Sequence, residues 1–263
     1  MRLTILGSGT GWFRVERSAP SYLLSLDEFH FLLDLGPGSL RQLLRVGFTL
    51  NDISGIFISH FHPDHVTDLI PFLFATRYNL GYTRLEKVFL IAHESFARFH
   101  EGLKAAFDSW VEPKEGLIEY FLVPDTDFYE FELKGFRLKT AKVNHNPESL
   151  ALRVEFKGKS LIYSGDTGYT ESLIKLAEGG DLLILECANG DGVYVPQHLG
   201  PEDVARMAIL SKVKRVLISH LYPHSEPVPV EVIKKHYSGE VILAEDLLVI
   251  DFTCHPERSE GLL

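Results

Sequence analysis

The chain has 263 residues, 45% hydrophobic and 24% charged, with a formal net charge of −10. This is the composition of a soluble globular protein long enough to bury a large core. It excludes a membrane-spanning helix, since no run of about 18 apolar residues occurs. It also excludes a disulfide framework, since only Cys187 and Cys254 are present, and the acidic balance gives no long-range attraction to a polyanion.

The opening Met1-Arg2-Leu3-Thr4-Ile5-Leu6-Gly7 reads as a strand ending in glycine. It lacks the apolar stretch and cleavage site of a signal peptide, so a cytoplasmic location is expected. Apolar runs predict further strands at 22–26 and 29–34, then a Gly-Pro-Gly turn at 36–38 and an amphipathic helix at 40–46. Residues 53–59 read as a buried strand, 65–78 as a helix, 87–92 as a strand and 94–110 as a helix. In that last helix Phe96, Phe99, Phe107 and Trp110 have near-helical spacing and are expected in the core. Strands follow at 116–123, 128–133, 136–143, 150–156 and 160–164, and the last third alternates helix with strand to about residue 252. Interleaved β-rich stretches and helices predict two packed sheets with helices outside. No linker is visible, so one domain is expected over 1–252, with 253–263 a disordered or extraneous tail.

The densest chemistry is His60-Phe61-His62-Pro63-Asp64-His65: four potential ligands in six residues, after a buried strand and before a helix. Neutral imidazole and carboxylate suit zinc-like cations. Such a site needs ligands from elsewhere, and His145, Asp166 and His220 each stand just beyond a predicted strand. An internal echo supports the last. Ile56-Phe57-Ile58-Ser59-His60 and Val216-Leu217-Ile218-Ser219-His220 are both strands that stop at Ser-His, so two histidines can converge on one sheet edge.

With these residues in this order, the chain resembles the metallo-β-lactamase superfamily over roughly 1–252. The resemblance implies an α/β fold, a four-layer αββα sandwich of two mixed sheets flanked by helices, with the site at one edge. It implies two divalent ions, zinc first, with manganese, iron or cobalt as alternatives. His60, His62 and His145 would hold one ion, Asp64, His65 and His220 the other, and Asp166 would bridge them. Two such ions can activate water as a nucleophile, and Asp64 could orient it or take its proton.

Further residues resemble the ribonuclease Z-like branch. The opening Leu6-Gly7-Ser8-Gly9-Thr10-Gly11 with Pro20 is similar to its first loop, and Trp12 breaks any dinucleotide-binding glycine pattern. Glu186, ending one predicted strand, and His198, in Gln197-His198-Leu199-Gly200-Pro201, match a Glu–His pair that protonates the leaving oxygen. One departure stands out. Only a hairpin's length of chain separates His145 from Asp166, where ribonuclease Z enzymes that mature transfer RNA usually carry a long arm. A metal-dependent hydrolase of small or cyclic phosphodiesters, or of an RNA 3′ end, is therefore expected. A lactonase or thioesterase of the same fold and a non-catalytic metal-binding module are the alternatives. Trp12 and Phe13 could stack on a base or pack, His224 is expected to be a solvated loop residue, and Cys187 a small buried one. The oligomeric state stays open; a homodimer is compatible.

Overall fold

The computed structural model describes residues 1–190, 192–228 and 230–252, so the expected tail at 253–263 lies outside the described residues. Among the described residues, fourteen strands form two seven-stranded sheets. The first six are β1 (Arg2–Gly7), β2 (Ser21–Leu26), β3 (Phe29–Leu33), β4 (Ile53–Phe57), β5 (Val88–His93) and β6 (Ile118–Val123). The next seven are β7 (Phe128–Leu133), β8 (Phe136–Lys142), β9 (Leu150–Phe156), β10 (Lys159–Tyr163), β11 (Leu182–Glu186), β12 (Arg215–Ser219) and β13 (Glu240–Leu243), and the last is β14 (Val249–Asp251). The first sheet runs β14-β1-β2-β3-β4-β5-β6 and the second β13-β12-β11-β10-β9-β8-β7. Both are mixed: β1, β2 and β3 pair antiparallel and β3 to β6 parallel, while β7 to β10 pair antiparallel and β10 to β13 parallel.

Both faces of the parallel strands are covered, which is why they read as continuous apolar runs. Between the sheets lies a core including Leu24, Phe57, Leu152, Tyr163 and Ile184. The outer face of the first sheet packs through Ile56 and Leu90 on α1 (Ser39–Arg45), α3 (Leu69–Tyr78) and α4 (Phe96–Phe107). The outer face of the second packs through Leu183 and Ile218 on α5 (Glu171–Ala177), α6 (Pro201–Ser211) and α7 (Val230–Lys234). The result is the expected αββα sandwich.

Two predicted helices differ from those observed. The helix expected at 65–78 is split into α2 (Pro63–Val66) and α3. The chain leaving β3 intrudes there: Leu35 N donates to His65 O (2.8 Å) and Asp68 N to Leu35 O (2.9 Å), replacing bonds a continuous helix would make. The helix expected at 94–110 stops at Phe107 and continues as a 3-10 turn, because Asp108 takes φ 53°. That turn redirects the apolar face. Phe96 is buried, but Phe107 and Trp110 are exposed, not core.

Candidate metal centre

All seven predicted ligands follow strands and meet at one edge of the sandwich. The α2 turn, entered through Pro63 at its first position, folds Asp64 and His65 back towards His60 and His62. The His60 ring lies 4.6 Å from His62, 4.2 Å from His65 and 4.9 Å from His145, and His220 lies 5.3 Å from His65. The Asp166 carboxylate is central. It stands 3.2 Å from His65 Nε2, 3.4 Å from His220 Nε2, 3.8 Å from His60 Nε2 and 4.0 Å from His145 Nε2. Asp64 Oδ2 is 3.5 Å from His220 Nε2. Donor atoms within 4.8 Å of one another form two main sets, His60/His62/His145/Asp166 and Asp64/His65/His220.

The donor set fits divalent metal. His60 Nε2, His65 Nε2, both His220 ring nitrogens and Asp166 Oδ1 are buried without a well-formed hydrogen bond, an arrangement that costs free energy unless something binds them. Burial, aided by His65, holds His60 well below the usual histidine value, so it presents a lone pair. Burial opposes charge on His65, but Asp166 and Asp34 outweigh it and hold its value well above normal. A bound cation would displace that proton. Burial alone would raise Asp166, yet His220 and His65 keep its carboxyl well below the usual range. His220 itself adopts φ 55°, a strained backbone that points its ring inward.

Residues that sequence reasoning missed hold the ligands in place. Asp34, fully buried at φ 57°, accepts hydrogen bonds from His65 Nδ1 (2.7 Å), Tyr163 OH (2.6 Å), Ser59 Oγ (2.6 Å) and Ser59 N (2.7 Å). A charged residue ending an apolar strand was the available signal. Ser59 Oγ also meets His60 Nδ1 at 3.0 Å. The Asn146 side-chain amide lies 2.9 Å from His62 Nε2, and His145 Nδ1 donates to Gln197 O at 3.2 Å. Since outer partners of this kind set ligand orientation, Asp34→Asn is expected to cost roughly 10–100-fold in metal affinity. Competition with a chromophoric chelator measures it, and unchanged affinity would refute the role.

Glu186, at the end of β11, accepts from His198 Nδ1 at 2.7 Å. Burial pushes His198 down, but this hydrogen bond and the Glu186 charge reverse that and bring it up to about 9. His198 falls in a donor group with Asp166 and His220. Near the same rim Tyr222 stacks on His224 (5.2 Å), whose Nε2 donates to Ala188 O at 2.9 Å, so His224 is pinned and half-buried, not solvated. Trp12 and Phe13 are 64% and 77% exposed, which places them on the surface and not in the core. Cys187 is buried as expected, whereas His30, His93 and His100 bond Ser25, Ser95 and the Val111 carbonyl.

Fold and site together define a metal-dependent hydrolase of the metallo-β-lactamase superfamily, ribonuclease Z-like. Ribonuclease Z of Mycobacterium bovis is 25% identical over 286 residues, spanning 98% of this chain and all of that protein. The metallo-β-lactamase fold protein YhfI of Bacillus subtilis superposes with a TM-score of 0.81 at 20% identity, over 95% of this chain and 98% of its own. A diphosphatase of the PhnP family gives 0.71 at 24%, over 95% and 97%. Residues 1–198 match the model of the family described as Anti-Pycsar protein Apyc1, and the chain belongs to that family.

Proposed function

We propose that the protein uses two divalent ions, zinc first, to hydrolyse small or cyclic phosphodiesters. His60, His62 and His145 would hold one ion, Asp64, His65 and His220 the other, with Asp166 between them; manganese, iron or cobalt would also suit these donors. Bound there, the ions supply Lewis acidity and lower the pKa of water. Asp64 orients the nucleophile, and His198, held charged by Glu186, gives its proton to the leaving oxygen.

The observation that carries this reading is the 2.7 Å Glu186–His198 contact beside Asp166 and His220. Opening a lactone or thioester has less need of an acid there. A small substrate is favoured by the short chain between His145 and Asp166, which is only the β9–β10 hairpin turning at Lys157-Gly158. An RNA 3′ end is the second reading, favoured by the full-length likeness to ribonuclease Z. The test is metal analysis, then turnover of 2′,3′-cyclic and 3′,5′-cyclic nucleotides, precursor transfer RNA and a lactone. Hydrolysis of a cyclic diester is expected. Turnover of the lactone alone would overturn the phosphodiester reading, and efficient trimming of precursor transfer RNA would overturn the size argument.

A further inference from the structure

Both ligand sets share the Asp34–Ser59 pair beneath His65 and His60, but their other supports come from different parts of the chain. His60, His62 and His145 are steadied by Ser59, Asn146 and the Gln197 carbonyl. The other set leans on the loop between β1 and β2. Gly11 N donates to Asp64 Oδ2 at 2.9 Å. The residue after His220 is gripped twice by the same loop: Leu221 N donates to Ser8 O (3.2 Å), and Arg14 Nη2 donates to Leu221 O (3.1 Å).

What holds this loop is a group of charges outside the ligand motif. Glu226 uses one carboxylate oxygen for Arg14 and the other for Arg17, which donates from Nε (3.1 Å) and Nη2 (2.6 Å). Arg17, only 9% exposed, also donates to Ser8 Oγ (2.7 Å) and Ala244 O (2.5 Å). Asp246 accepts from Ser8 N, Ser18 N and Gln42 Nε2, closing the loop at both ends. Charge-assisted, forked contacts of this kind fix geometry as well as adding energy.

We propose that the Arg14–Glu226–Arg17 clamp is a positioning device for the Asp64/His220 half of the centre, setting the affinity of the ion held there and leaving the His60/His62/His145 half unaffected. Arg14 links Glu226 to the peptide that follows His220, while the loop it anchors orients the Asp64 carboxylate. Losing either guanidinium or carboxylate frees both Asp64 and His220 to move. No contact connects the clamp to His62 or His145 among the described residues.

The inference rests on the two-ion reading, and the experiment separates the two. Wild type, Arg14→Met and Glu226→Gln are loaded with zinc and titrated with a competing chelator, and each metal-free form is melted. Arg14→Met keeps the side-chain stem at a partly exposed position, so it retains the fold if Glu226→Gln does not. Wild type should hold two equivalents. Each folded variant should keep one at wild-type affinity and bind the other roughly 10–100-fold more weakly, and Arg14→Met should do so with its metal-free melting temperature little changed. Two ions at wild-type affinity, or both weakened together, would overturn the clamp's selective role. Fewer than two equivalents in the wild type would instead remove the two-ion reading beneath it.

Discussion

Asp166→Asn should abolish hydrolysis, by about a thousandfold or more, and should leave the purified protein short of metal. Asp166 is 3% exposed, and its two oxygens face His65, His220, His60 and His145 at 3.2 to 4.0 Å. It therefore touches members of both ligand sets. Asparagine has the same shape but no charge, and one of its two ends presents hydrogens where a lone pair is needed. It also strips His65 of one of the carboxylates that draw charge onto it, leaving Asp34 at 2.7 Å. Breaking a buried charge pair by removing one partner costs about 3–5 kcal/mol. That cost falls on stability; the rate loss, about 4 kcal/mol of barrier for a thousandfold, comes from losing the Lewis acidity and activated water that bound ions would supply. Chelation of the wild type should reproduce the activity loss. It should also lower the melting temperature, because an ion at about 100 times its Kd adds about 2.7 kcal/mol to stability. In Asp166→Asn, added zinc should give little of that increment. Wild-type affinity should fall as pH is lowered, since His65 holds its proton more firmly than an ordinary histidine and the ion must displace it. Full activity in Asp166→Asn, or in a preparation free of transition metal, would refute the bridging role.

The layers of this fold were legible because apolar runs report burial wherever helices cover both faces of a sheet. Strand edges such as β8 and β9 fell within a residue or two of expectation. What could not be read locally was anything set by contact between distant segments. The break between α2 and α3 is made by the Leu35 peptide, some thirty residues earlier in the chain. The exposure of Trp110 follows from a single left-handed residue, Asp108, that helical spacing does not encode. The same holds at the site. The six-residue histidine motif announces itself, because clustering of ligands along the chain has few other causes. Asp34 looked like an ordinary strand end, and its roles depend on Tyr163, 129 residues away. Arg14 and Glu226 are 212 residues apart and carry no motif at all.

Replacing His198 by alanine should lower kcat by about 10²–10⁴-fold for a diester with an alkoxide leaving group. KM and metal content should change little. With an activated aryl leaving group, which departs well without a proton, the loss should shrink sharply. The geometry behind this is specific. Glu186 is 3% exposed and its carboxylate accepts four hydrogen bonds, from Thr167 N (2.9 Å), His198 Nδ1 (2.7 Å), Ala188 N (3.1 Å) and Leu199 N (3.2 Å). The carboxylate cannot turn, so His198 keeps its proton on Nδ1, with its ring 5.0 Å from that of His145 and 6.0 Å from that of His220. With its value up at about 9, His198 is a charged acid through neutral pH, and the rate should fall as pH rises and the acid is lost. Divalent cations nearby would draw that value down, so the alkaline limb should lie below about 9 in the loaded enzyme. Glu186→Gln removes the charge that raised it and should move the limb to lower pH still. Stability follows the same sign. The pair's contribution is complete below the ordinary histidine value of about 6.5 and fades as pH rises through the folded value, so Glu186→Gln should destabilise more at pH 6 than at pH 10. A purely structural His198 would lose rate equally on both leaving groups and leave the alkaline limb in place, and that pattern would remove the acid from the mechanism.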